Sequence, residues 1–187
     1  VAFRVPNLFR RWFGEGAFSQ AFVPVLSEYR ERYRKSELEA LVAAVSGTLA
    51  VGLVAFTLAG IAFAPALVAL ISPGFVGEPE QFARTVALLR LTFPYLTLVS
   101  LVALAGGVLN TYGVFAVPAF TPVFLNVGLI AGALAVAPHL TEPVFALAYG
   151  VLAGGVLQLA FQLPALARVG MLVVPRLLPG HAGVRQI

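Results

Sequence analysis

Between Glu39 and Glu78 the chain carries no charged residue. That single run limits what the chain can fold into, because about 20 apolar residues are enough to cross a bilayer as a helix and longer runs tilt. Composition extends the constraint to all 187 residues: 60% are hydrophobic and 11% charged, against about 25% charged in a soluble domain. A soluble globular fold is a poor match, and the chain reads as an all-α, polytopic transmembrane helix bundle. It has no cysteine, so no disulfide framework, zinc cluster or thiol nucleophile is available, and the redox compartment stays open. The net charge of +4 does not point to a nucleic-acid partner. The basic residues cluster at segment ends with apolar surface between them, as membrane orientation requires.

Five crossings are predicted, at about 1–27, 40–72, 82–111, 115–137 and 144–168, with 169–187 as a cytoplasmic interfacial linker. Pro65 is expected to kink or end the last turn of its span. Ser72-Pro-Gly-Phe75 is a turn signal, and Arg90 and Pro94 interrupt the next span. The link at 28–39 holds Arg30, Arg32, Arg34 and Lys35 and reads as a solvated or headgroup-level stretch; the link at 72–81 holds only the acids Glu78 and Glu80. The turn near Tyr112 is uncharged, 138–143 has His139 and Glu142, and the carboxy end has Arg168, Arg176 and Arg185. By the positive-inside rule, 28–39 and 169–187 are cytoplasmic, and 72–81 and 138–143 face outward. The chain opens on Val1 without a signal-peptide pattern and stops at Ile187 without an obvious terminating element. It is read as an internal piece of a larger protein.

The first segment does not fit this scheme. It is apolar enough to span, yet it carries Arg4, Arg10, Arg11 and Glu15. An ionised side chain at bilayer depth costs roughly 2.5–3.5 kcal/mol on insertion scales and normally faces a polar cavity or a partner. On a helix, Arg11 and Glu15 are four apart and can pair, while Arg10 shares a face with Asn7. One arginine is then neutralised locally while Arg10 stays open to a ligand. A guanidinium suits phosphate oxygens bidentately, so one reading is capture of an anionic headgroup, pyrophosphate being a good match. The other reading places the same charges at the interface or in helix packing.

Elsewhere the candidates are uncharged. Asn110, Asn126, Gln158 and Gln162 lie within or at the ends of spans, where hydrogen bonds between helices are expected and lining a cavity is the alternative. Arg90 and Arg84 are read as reaching the outer interface. Gly128-xxx-Gly132 and Gly150-xxx-Gly154 allow close helix contact. Pro94, Pro118 and Pro122 are candidate kinks. His139 and His181 have no acid or cysteine at metal-ligand spacing, and no nucleotide, zinc or nucleophile motif occurs. The sequence points to no catalytic residue, no metal and no cofactor, so an enzyme is not expected.

Arg10-Arg-Trp-Phe-Gly-Glu-Gly-Ala-Phe-Ser-Gln-Ala-Phe-Val-Pro-Val-Leu-Ser-Glu-Tyr29 resembles the second-helix signature of the MurJ (MviN) lipid II flippase family. The likeness continues through Ser72-Pro-Gly-Phe75, Leu88 to Tyr95, Gly107 to Asn110, Pro118 to Asn126, Gly154 to Gln158 and Gly170 to Pro175. It implies a MATE-like member of the MOP exporter superfamily, with this chain as helices two to six of the amino-terminal lobe. It further implies alternating-access transport of lipid II, an undecaprenyl-pyrophosphate-linked sugar-peptide, to the outer leaflet for peptidoglycan synthesis. Arg10 then matches an arginine of the cationic cavity and Glu15 the acidic position after it. The implied partners are lipid II, membrane lipids and the remaining helices of a longer chain, without which this piece is not expected to flip a lipid. Another MOP-type exporter of lipid-linked polysaccharide or drugs, or a structural membrane protein without transport, are the alternatives.

Overall fold

The computed structural model describes residues 17–177, with side chains from Phe22 onward. Among them there are only helices and connecting turns. Helix α1 (Ala17–Arg32) is followed by α2 (Lys35–Ala62), α3 (Ala64–Ile71), α4 (Pro79–Thr92), α5 (Tyr95–Thr111), α6 (Ala116–Phe120), α7 (Val123–Ala131) and α8 (Val144–Arg168). Four stretches are long and apolar enough to cross a membrane: Lys35–Ala62, Pro79–Thr111, Ala116–His139 and Val144–Arg168. Most of the first predicted crossing lies outside the described residues. The polar stretch at 28–39 is mainly helical, because α1 runs on to Arg32 and α2 starts at Lys35. Exposed pairs one turn apart line it, Arg32–Glu28 at 2.9 Å and Lys35–Glu39 at 3.8 Å. The Glu37 carboxylate accepts the Arg34 N–H at 3.3 Å at the start of α2.

Helix α5 runs through the larger core. Its buried Leu104, Ala105, Val108 and Leu109 meet Phe22 and Leu26 of α1, Leu41, Val42 and Val45 of α2, and Ala165 and Leu166 of α8. A second core, Ala64 and Val68 of α3 with Val86, Leu89 and Phe93, fills the other end of the bundle. Polar contacts tie the links at each end. Arg30 donates to the Thr111 carbonyl and lies over the Tyr112 ring, 4.6 Å from its centroid. At the opposite end Arg84 pairs with Glu142 at 2.9 Å and with Glu80 at 3.2 Å. Arg84, expected to lie at the interface, thus clamps the link before α8 to the first turn of α4.

Proline sets where the helices break. Pro65 has no N–H for the Ile61 carbonyl four residues earlier, and the chain kinks at Phe63 between α2 and α3. The orphaned Ile61 carbonyl accepts from Arg90 Nε at 3.2 Å. Arg90 therefore does more than reach for the interface: it supplies the donor that Pro65 removed. Glycine sets how closely the helices pack. Gly128 and Gly150 oppose each other across α7 and α8, and a methyl on either would overlap the other's carbonyl. Gly132 and Gly154 lie in the same seam, so both GxxxG-type pairs of the sequence face one another. After α8, Gly170 takes φ +71°, a left-handed conformation that suits glycine. The chain then doubles back as an extended strap, where the Arg176 N–H donates to the Ala43 carbonyl at 2.8 Å. Its backbone lies against Gly47, where any side chain would collide with it.

Two outcomes follow in the intact protein. Arg90→Ala is expected to cost about 1 kcal/mol with Pro65 present and less when Pro65→Ala restores the N–H. A double-mutant cycle in detergent unfolding measures that coupling, and strict additivity removes the role given to Arg90. Gly128→Ala is expected to destabilise by about 1–3 kcal/mol through overpacking. The control Gly52→Ala, whose added methyl meets nothing within 4 Å, should be neutral or stabilising.

Candidate functional site

Asn7, Arg10, Arg11 and Glu15, with Arg4, lie outside the described residues, as do Pro179, His181 and Arg185. The cationic half of the expected site is therefore known from sequence alone. The uncharged half is described, and it centres on Thr121.

Pro122 has no N–H to offer the Pro118 carbonyl, and the fourth span breaks there into α6 and α7. Thr121, at the joint, is 2% exposed. Its hydroxyl donates back to the Val117 carbonyl at 2.8 Å. Gln158 and Gln162 are one turn apart on α8 and so share a face; they are 4% and 1% exposed. Gln158 Nε2 donates to the Thr121 carbonyl at 3.3 Å, and Gln162 Nε2 donates to the Thr121 hydroxyl oxygen at 3.1 Å. Hydrogen-bond logic fixes both amides. A carbonyl can only accept, and the hydroxyl has already spent its proton, so each glutamine must present nitrogen to Thr121. Both Oε1 atoms are thereby turned away, and neither has a hydrogen-bond partner.

These residues line a cleft of about 290 Å³ bounded by α1, α5, the α6–α7 joint and α8. Gly106 and Gly107 form a bare wall on α5, Pro118 and Pro122 a rigid one opposite, and Val23 of α1 approaches from the side. Asn110 also lines the cleft and is exposed. One turn end further, Tyr112 carries the Arg30 guanidinium on its ring; burial pushes its phenol above the ordinary value, and Arg30 opposes that rise. Among the described residues no charged side chain lines the cleft, which presents carbonyl oxygens in an otherwise apolar hollow.

Of the uncharged candidates, the structure brings together Asn110, Gln158 and Gln162. Asn126 is exposed on α7 and does not line the cleft. Thr121 escaped the sequence reading, although a threonine directly before a mid-span proline places a polar side chain at a helix joint. Among the described residues no group of His, Cys, Asp or Glu is placed to hold a metal ion.

The family model for lipid II flippase MurJ matches residues 1–187. The chain is 47% identical to the lipid II flippase MurJ of Burkholderia cenocepacia, over all of the chain and 37% of that protein. It is 47% identical to the probable lipid II flippase MurJ of Vibrio cholerae, over 92% of the chain and 34% of the relative. The corresponding protein of Haemophilus influenzae is 43% identical over 98% of the chain and 38% of its own length. The chain thus spans just over a third of the length of these curated relatives. With its apolar helices and a match along its whole length, the chain belongs to the lipid II flippase MurJ family and is a multi-pass segment of the bacterial inner membrane.

Proposed function

We propose that this chain supplies part of the amino-terminal lobe of a transporter that carries lipid II from the inner to the outer leaflet of the cytoplasmic membrane. The observation that carries the reading is the whole-length match to proteins named as lipid II flippases. The site assignment is chemical. Arg10 replaces hydration of the pyrophosphate with a bidentate charge-assisted contact, while the polyprenyl tail stays in lipid. In this reading the four-residue spacing lets Glu15 neutralise Arg11, and the three-residue spacing assigns Asn7 to the face of Arg10. Alternating access then carries the headgroup past the low-dielectric barrier without exposing its charge to lipid.

Sidedness follows from charge. Arg30, Lys35, Arg168 and Arg176 belong to the end where α1, α2, α5 and α8 exchange contacts with the strap. Glu80 and Glu142 gather at the other end around Arg84. This distribution supports links 28–39 and 169–187 as cytoplasmic and 72–81 and 138–143 as periplasmic or extracellular. The reading includes no catalytic step and no cofactor; the remaining helices of a full-length protein complete the cavity.

In a full-length family protein bearing this segment, Arg10→Ala is expected to abolish rescue of cells depleted of their native flippase at normal expression. Arg10→Lys should rescue in part, since it keeps the charge but loses the planar fork. Full rescue by Arg10→Ala would falsify the headgroup role.

A further inference from the structure

The cleft at Thr121 has a chemistry that an anion site does not need. Two buried glutamine carbonyl oxygens point away from Thr121, and among the described residues neither has a hydrogen-bond partner. A buried acceptor left unmade is costly, so such an atom marks a place where a donor is missing. The Gln162 Oε1 is buried and lies 3.9 Å from where a methyl on Gly106 would sit, so it faces the bare α5 wall of the cleft. The volume, about 290 Å³, sits at the small end of the roughly 300–1,000 Å³ typical of ligand pockets. One ring-sized group fits, not a whole drug-sized molecule.

From these features we infer that the cleft is a subsite for a neutral, hydrogen-bond-donating part of the transported headgroup, a sugar ring with its hydroxyl and amide N–H groups. Gln158 and Gln162 accept from it, Gly106 and Pro118 provide the flat apolar walls a ring face needs, and Asn110 stands at the exposed rim. An anion is repelled by the same carbonyl oxygens, and among the described residues no carboxylate lines the cleft for a bare cation. The inference rests on the lipid II reading above and divides the labour within it: positive charge in the first segment holds pyrophosphate, and this cleft selects what is attached to it. The rim also lies at the correct end, since Asn110 is two residues from Tyr112, which Arg30 covers at the basic end of the bundle. A sugar carried by an inner-leaflet lipid would enter from there.

The test is binding to purified full-length family protein bearing this segment, in lipid nanodiscs, with two probes: lipid II and undecaprenyl pyrophosphate, which lacks the sugars and peptide. Gln158→Leu/Gln162→Leu is expected to weaken lipid II binding about tenfold, the loss of one to two hydrogen bonds, and to leave undecaprenyl pyrophosphate unchanged. Gly106→Val, which fills the cleft without changing either glutamine, should do the same and separates loss of the cleft from loss of the amides. Arg10→Ala should weaken both probes. If Arg10→Ala weakens both probes while the glutamine and glycine variants bind lipid II as tightly as the parent, the cleft holds only water and this inference fails alone. An equal loss for both probes in Gly106→Val also overturns it, as a general packing effect. If Arg10→Ala changes neither probe, the function proposed above fails first.

Discussion

In hydrocarbon a backbone carbonyl that loses its N–H partner must find another donor, and this bundle is organised around that requirement. At the proline after α2 the replacement donor is a side chain from a distant part of the sequence: Arg90 reaches 29 residues back to Ile61. At the α6–α7 joint Gln158 reaches 37 residues back to the Thr121 carbonyl, which also accepts the Phe124 N–H. The first bond is at once a local repair and a tertiary tie; the second is a tertiary tie alone. Both helix breaks are thereby tied into the packing.

The glycine seam between α7 and α8 is the complementary device. Helices in lipid gain little from burying apolar side chains against one another, because lipid is as apolar as leucine; close backbone approach recovers dispersion energy instead. Gly128, Gly132, Gly150 and Gly154 permit that approach. The seam presses α8 against the α6–α7 joint, so the glutamines can reach Thr121 at all. Packing by absence of side chains thus prepares a polar cluster by presence of them. The exposed apolar faces elsewhere, such as Leu58, Leu70, Ile130 and Leu134, are what a lipid solvent or neighbouring helices would cover.

Much of this was legible in the residues. The uncharged run after Glu39, the GxxxG spacings and the prolines gave the helical class, the helix contacts and the breaks, because those depend on local chemistry and on length. Arg90 was harder. Its neighbours explain an arginine near an interface, but its acceptor is set by a proline in another helix, and only the fold brings the two together. Gln158 and Gln162 were visible as buried amides, yet their orientation depends on how Thr121 spends one proton. The link at 28–39 read as solvated because it is charged, whereas charge pairs one turn apart are compatible with helix, and the helix continued. For Arg10 and Glu15 the argument remains one of sequence and family.

The strap at 171–177 has a mechanical consequence. The chain leaves α8 at Gly170, reverses, and is hydrogen-bonded to α2 through Arg176 and Ala43 before it goes on. Tension arriving from beyond that anchor is transmitted to the flank of α2 rather than to the end of α8. Whatever the following residues are joined to, its motion would lever on α2, not on the helix that carries the glutamines.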